Sequence, residues 1–470
     1  MTISDQDFVH LHTHHEHSNL RFRDSVNKIK DMILHVDGLG NRAMAITDHE
    51  SISGHLKFLN TVKDLKFKNK IHKDFKPILG NEIYLVDEEI MYEEMKDQDK
   101  KPKFYHFLVL AKDNEGHKQM RELSTRAWTR LFNYKGVERV PTFYSDIESI
   151  VGDNKGHLIA SSACLGGMLP HVILNLLHEE NEEVKEQIKD QLDDFLNRCL
   201  DLFGEDFYIE LQPSLQQEQI DFNVMAVKIA KAYNIKWIVT TDAHYLTAKD
   251  REIHKAFLTS EDDLNNNREV DLFYSTTHFF TVDEIFKNTD YLETEDIEKA
   301  ILNTKEIADK IIGYDFFAES IIPLRELPNK SEWYSVNKKI LNEYPYIKEL
   351  YEDAEKQHTF LITQTFKGIA EREIKKDKLD KVLERINIEC KEITGASKAK
   401  HQPMGAYLNT MQKNVDIIWE EAESFVGPGR GSANGYIINY LLGITQVNPL
   451  EQGVEMPHWR FMSAERPDRN

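Results

Sequence analysis

Seven short runs rich in β-branched and aromatic residues punctuate the first half of the chain: FVHLHTH (8–14), AMAITDH (43–49), PILGNEIYLV (77–86), FYHFLVLAK (104–112), HLIASSACL (157–165), FYIELQ (207–212) and WIVTTDAHYL (237–246). Such residues fit a pleated, half-buried surface, so each run predicts a strand. Between several of them lie amphipathic stretches, VNKIKDMILHV with Gly38 and Gly40 as C-cap glycines behind it, and EQIDFNVMAVKIAKAY. Strand alternating with helix predicts a parallel α/β sheet or a barrel. Nearly every run carries a metal-competent residue at or near its end: His12 and His14, His49, Glu82, His106, Cys164, then Asp242 and His244. Barrel sites are assembled from the C-terminal ends of several strands, so the expected fold is a distorted seven-stranded β/α barrel.

The pattern changes after residue 258. LTSEDDLNNNREVD (258–271) is a polar loop that predicts a boundary or an excursion, and TEDIEKAILNTKEIADKII (294–312) is an amphipathic helix with Thr294 as cap candidate and an acidic first turn. Helical segments continue to about residue 424. Of these, 361–400 is rich in Lys and Arg and reads equally as a solvated face or a contact to a DNA backbone. The expected organisation is a barrel domain over 1–258, a mainly helical region over 259–425 and a distinct segment over 426–470.

Charge and cysteine usage narrow the function classes. A formal net charge of −21 excludes a generally basic cloak for nucleic acid, but not carboxylates that bind divalent cations at a phosphate substrate. Three cysteines, Cys164, Cys199 and Cys390, lie far apart with no CxxC pairing, which predicts a reducing, cytoplasmic setting without a disulfide framework. Neither a signal peptide nor an apolar run long enough for a membrane span is present, so no membrane partner is expected.

Residues 10–18 read HLHTHHEHS. On a strand, His10, His12 and His14 share one face, and an HxH pair places two imidazoles about 7 Å apart, close enough for one metal cluster. His12 and His14 are therefore the candidate ligands. His10 shares their face as a support, while His15 and His17 leave the strand or face away. A lone histidine is ordinarily a hydrogen-bonded or solvated residue. HxH joined by TDH (47–49), GNE (80–82), His106, SAC and DAH (242–244) is a donor set for two or three divalent metals, able to activate water and neutralise a phosphate.

HLHTHxxxS, ITDHxxxxG, PILGxEIYL, YHFLVLAKD, SSACLGG, YIELQ and TTDAHYL together resemble the polymerase and histidinol phosphatase (PHP) domain, in the version that opens bacterial C-family DNA polymerases, the polymerase III alpha subunits. The resemblance implies a seven-stranded barrel with a trinuclear metal centre, held by His12, His14, Asp24, His49, Glu82, His106, Cys164, Asp242 and His244. Asp24 is the loosest match, because NLRFRDS (19–25) is longer than the family's spacing. In many members the site is a metal-dependent 3′–5′ exonuclease, and in others it is only structural. Mixed His, carboxylate and Cys donors suit zinc, manganese and iron alike. Cys199 and Cys390 read as packing residues.

Near the end stands VGPGRGSANGYIINYLLGIT (426–445). A glycine-rich loop with Arg430, and with Ser432 as cap of an apolar helix starting near Ala433, reads either as a phosphate cradle or as a tight turn. The segment resembles the palm signature of the same polymerases. That resemblance implies that Gly427, Gly429, Arg430, Gly431 and Ser432 contact a deoxynucleotide triphosphate.

RFMSAERPDRN (460–470) resembles the stretch ahead of the family's paired palm aspartates; by the family's spacing Asp468 is not the first of them, and the alternative alignment of Pro467–Asp468 with that element would put Asn470 in place of the second carboxylate. The expectation is a polymerase centre incomplete in this chain and inactive in nucleotide incorporation by itself. Completion by a second polypeptide would supply a magnesium site and engage a DNA primer-template. The competing expectations are a stand-alone PHP phosphoesterase and a non-catalytic assembly subunit with a structural metal cluster.

Overall fold

Among the described residues nine strands form in chain order: β1 (Ala43–Ile46), β2 (Lys76–Val86), β3 (Tyr105–Ala111), β4 (Phe132–Tyr134), β5 (Val137–Arg139), β6 (Pro141–Phe143), β7 (Leu158–Ser161), β8 (Phe207–Leu211) and β9 (Lys236–Val239). Seven make one sheet in the order β1-β2-β3-β7-β8-β9, with β6 also on β2, while β4 and β5 pair as a separate hairpin. The computed structural model describes residues 3–20, 23–88, 90–91, 103–134, 137–260, 274–316, 320–451, 453 and 455–465. One compact unit spans Met1–Phe316 and a second Phe317–Asn470.

The run 8–14 departs from the expected ladder. It makes single parallel bridges, His10 to Met44 and Thr13 to Ala243, in place of a continuous strand. Threonine hydroxyls explain this: Thr13 Oγ1 donates to the Ala45 carbonyl at 2.6 Å, and Thr13 N donates to Thr47 Oγ1 at 2.9 Å, so side chains take up groups that a ladder would pair. The segment still lies between β1 and the residues after β9, the two ends of the sheet path, and thereby curls the sheet into a distorted β/α barrel. The seventh strand of the sheet proper is β6.

Most pairings are parallel, but β3 runs antiparallel to both β2 and β7. That reversal has a consequence for the site: His106, near the start of β3, stands at the same end of the sheet as residues that follow the parallel strands. Inside the curl, Val9, Leu11, Ala45, Ile78, Leu108, Ile159, Tyr208 and Ile238 form one apolar cluster to which every strand of the path contributes. Outside, helices such as Ile29–Leu39 and Gln217–Tyr233 cover the sheet. Gly40 ends the first of these at φ 108°, a conformation glycine adopts without a Cβ penalty, whereas Gly38 lies within the helix.

The first unit continues well past residue 258. The helix Thr294–Lys310 buries Ile297, Ala300 and Ile301 with residues of β8 and β9, and Ile307 and Ala308 with the interior cluster. Its amphipathic stripe thus belongs to the barrel's core, and the contact boundary falls at Phe316. Glu293, not Thr294, occupies the cap position of that helix. Of the polar loop 258–271, residues 261–271 lie outside the described residues.

The second unit is helical. Lys356–Glu371, Lys376–Lys400 and Met404–Glu420 pack around Leu361, Ile386, Cys390, Ile393 and Tyr436, with no sheet strand among its described residues. Cys199 is likewise buried in the first unit's core, as its helical position implies. No described helix in either unit is long and apolar enough to cross a membrane.

Candidate metal centre

All nine expected ligands converge at the end of the sheet where the parallel strands finish. Glu82 is the hub. Its Oε1 lies 3.3 Å from His12 Nε2 and 2.9 Å from His106 Nδ1, and its Oε2 lies 2.7 Å from His49 Nδ1 and 3.4 Å from His14 Nε2. Asp242 Oδ1 stands 3.0 Å from His14 Nε2 and 3.3 Å from His12 Nε2. Asp24 meets His244 Nε2 at 3.1 Å and His49 Nε2 at 3.6 Å. Cys164 Sγ lies 3.3 Å from His106 Nδ1 and 3.8 Å from Glu82 Oε1.

Three overlapping groups could each hold an ion: His14, Asp24, His49 and His244; His12, His14 and Glu82; and His49, Glu82 and His106. Asp242 and Cys164 adjoin these groups. Asp24 reaches the site despite its longer spacing, and Asn19 anchors it there, its Oδ1 accepting from Asp24 N and Ser25 N at 2.8 and 2.9 Å. The His254 ring supports it from behind by donating from Nε2 to the Asp24 carbonyl.

The backbone is bent where ligands are presented. Asp242 itself, Ala163 before Cys164 and Glu50 after His49 all lie in the left-handed region, at φ 46°, 57° and 52°. Non-glycine residues there carry a conformational cost that clusters at functional sites.

The donors fit divalent metal. His12 Nε2, His14 Nε2, Asp24 Oδ2, Glu82 Oε2 and Asp242 Oδ1 are buried and face one another at short range without a well-formed hydrogen bond among the described residues. Buried polar atoms are rarely left so. The electrostatics agree. Burial opposes charge on His12, yet the carboxylates of Asp242, Glu210 and Glu82 raise its pKa well above the ordinary value. Burial likewise opposes ionisation of Glu82, and His106, His49 and His12 overcome it, holding Glu82 well below the usual range. His14 is pulled down to about 4 by burial and by His49 and His244. Burial, with Glu82 and Asp242 adding to it, pushes the Cys164 thiol up, so it would become a thiolate ligand only through a cation.

Outside the cluster lie the remaining histidines of the first segment, including His10, expected to share the face of His12 and His14 and support them. His15 is buried and bonded through Nδ1 to Asp48 at 2.5 Å, and His17 contacts Ser53. His10 packs between Phe8 and Phe279 and reaches Thr241, away from the candidate ligands. One residue at the centre escaped the sequence reading. Glu210 on β8 is fully buried and lies 2.6 Å from His12 Nδ1. Its signal was the alternation in FYIELQ, which sets Tyr208, Glu210 and Gln212 on one face of the strand.

The glycine-rich segment lies in the second unit and corrects one expectation. Ser432 caps no helix: residues Gly431–Gly435 form a 3-10 turn, and the helix proper is Ile437–Leu441. The first amides of that helix are already taken, since Ile437 N and Ile438 N donate to Glu389 Oε1 and Oε2 at 2.8 and 3.0 Å. A buried carboxylate therefore occupies the helix N-terminus that the sequence offered to phosphate. Gly427, Arg430, Gly431 and Ser432 are exposed, and Gly429 and Gly431 hold φ of 115° and 63°. Pro467, Asp468 and Asn470 lie outside the described residues.

Comparison with known proteins agrees with this architecture. Residues 10–214 match the PHP domain, and residues 358–469 match the bacterial DNA polymerase III alpha NTPase domain. A DNA-directed DNA polymerase of Bacillus phage SPbeta is 40% identical over 98% of this chain and 36% of its own length. The DNA polymerase III subunit alpha of Aquifex aeolicus is 30% identical over 98% of this chain and 35% of its own, and that of Helicobacter pylori (strain ATCC 700392 / 26695) 27% identical over 98% and 34%. The chain thus spans about a third of the length of the curated relatives it matches. It resembles a PHP domain followed by a segment of the bacterial DNA polymerase III alpha NTPase domain, and as a whole is similar to the N-terminal part of polymerase III alpha subunits.

Proposed function

We propose that the first unit is a metal-dependent 3′–5′ exonuclease working within the N-terminal part of a replicative-type DNA polymerase. The observation that supports it is the convergence of nine donors, Glu82 at their hub, with buried nitrogen and oxygen atoms turned toward one another. His12, His14, Asp24, His49, Glu82, His106, Cys164, Asp242 and His244 would hold zinc, manganese or iron. Bound there, such ions supply the charge that draws a water's pKa toward neutrality and neutralises a phosphodiester. The chain's own part is to fix the donors on strand ends, to exclude competing solvent by burial, and to keep Glu82 and Asp242 ionised.

In the second unit, Gly427, Gly429, Arg430, Gly431 and Ser432 would contact a deoxynucleotide triphosphate through the exposed loop and the Arg430 charge. The filled helix N-terminus restricts that contact to the loop. Templated incorporation on a primer-template would draw on magnesium and on sequence of the kind that makes up the other two thirds of the curated relatives' length.

The test is incubation of the purified chain with 3′-labelled single-stranded DNA and Mn²⁺ or Zn²⁺. Release of mononucleotide that disappears in His12→Ala and Asp242→Ala supports the exonuclease. Metal-bound but inert protein would overturn it in favour of an assembly subunit with a structural cluster.

A further inference from the structure

We infer that Glu210 is a positioning residue of this centre, whose carboxylate fixes the His12 ring so that Nε2, and not Nδ1, faces the metals. The inference rests on the reading of the His12 cluster as a metal site. Glu210 is itself outside the three groups able to hold an ion, and its geometry shows why. Oε1 meets His12 Nδ1 at 2.6 Å and accepts from Thr240 Oγ1 at 2.6 Å, while Oε2 accepts from Ser161 Oγ at 2.7 Å. The Glu210 amide donates to Ser162 Oγ at 2.9 Å. Both oxygens are thus engaged by residues from β7 and from the end of β9. The carboxylate cannot swing into the cluster without abandoning these donors.

A proton on His12 Nδ1 points at Glu210 and leaves the Nε2 lone pair toward Glu82 Oε1 and Asp242 Oδ1, each 3.3 Å away. A buried carboxylate is costly to keep unless an opposite charge answers it, and an amide or apolar group would fill the same space more cheaply. Here the His12 ring, Thr240 and Ser161 answer it with hydrogen bonds, and the imidazole's basicity toward metal rises when its second nitrogen donates to a carboxylate. His14 is held differently: its Nδ1 faces the Ser18 hydroxyl at 2.9 Å, and Ser18 in turn donates to Asp48 at 2.8 Å. The two imidazoles of the HxH pair are thus oriented from outside, one by a charge and one by a hydroxyl.

The experiment uses the full chain stripped of metal, with Zn²⁺ and Mn²⁺ affinity read by competition against a chromophoric chelator and stability read by thermal unfolding of the stripped protein. Glu210→Gln keeps the shape and one acceptor but removes the charge. It is expected to unfold at nearly the wild-type temperature and to bind metal about 10 to 100-fold more weakly. Thr240→Val, which removes one donor from the same Glu210 oxygen, is expected to weaken binding about fivefold, the equivalent of one hydrogen bond. Wild-type affinity in a folded Glu210→Gln chain overturns the inference, as does lost stability with unchanged affinity. If Glu210→Gln does not fold, Thr240→Val decides by the same criterion. A wild-type chain that binds no metal overturns both this inference and the exonuclease reading. One that binds metal in a Glu210-dependent way but releases no nucleotide overturns the exonuclease reading alone.

Discussion

His49 and Glu82 are joined twice: a parallel backbone bridge pairs them, and His49 Nδ1 lies 2.7 Å from Glu82 Oε2. The first contact fixes the second, because a residue at the end of β1's run can meet one in mid-β2 only where the two segments stay in register. Through its other oxygen the same carboxylate reaches His106 and His12. Glu82→Gln removes a charge shared by four imidazoles while keeping the side chain's shape. Metal content by elemental analysis is expected to fall, and the rate of the proposed nuclease to drop about 10²-fold or more.

Metal affinity should rise with pH. Burial works against protonation of His12, His49 and His244, but neighbouring carboxylates raise all three pKa values above the ordinary one. In the metal-free protein these rings therefore keep a proton to higher pH than free histidine does, and an incoming cation must displace it. Each displaced proton adds roughly a tenfold gain in affinity per pH unit. Calorimetry in buffers of different ionisation enthalpy would show proton release on Zn²⁺ binding, and affinity flat across pH would contradict the assignment.

The second unit carries a separate pH signature at Glu389. Burial raises its pKa to about 7, against the Ile438 and Ile437 amides and Arg385, which favour the charge. The folded chain then binds more protons than the unfolded one between the ordinary value of 4.5 and about 7, so this group's contribution to stability declines as pH rises through that window. Thermal unfolding of the full chain from acid to neutral pH is expected to show this decline, and Glu389→Gln to flatten it.

Gly167→Ala tests how tightly the loop bearing Cys164 is built. A Cβ at Gly167 would come within 2.2 Å of the Ser162 carbonyl and 3.2 Å of those of Cys164 and His106. All three are backbone atoms that cannot rotate away. The substitution is expected to lower stability by about 1–3 kcal/mol, the range for overpacking, and to weaken metal binding, measured by denaturant unfolding and chelator competition.

Much of the centre was legible in the sequence because its donors sit in short β-forming runs, where a single buried ionisable residue stands out against apolar neighbours. His12, His14, His49 and His244 were readable in this way, and Asp24 only through resemblance, since the contacts by which Asn19 anchors it leave no periodic trace. Glu210 was hidden because a lone glutamate in a strand reads equally as a solvent-facing position, and only the curl of the sheet turns that face inward. The replacement of 8–14 by β6 as the seventh strand was illegible for another reason: threonine hydroxyls competing for backbone groups depend on which segments meet. The same holds for the helix after the glycine-rich loop, whose N-terminus is filled by Glu389, 48 residues away in sequence.

That these nine side chains hold metal together is tested most directly by the metal content of the folded chain after refilling with Zn²⁺ or Mn²⁺. More than one equivalent bound per chain is expected, as the three overlapping donor groups imply, with a clear reduction in Asp24→Ala and Glu82→Gln. A folded wild-type chain that takes up no metal would contradict it.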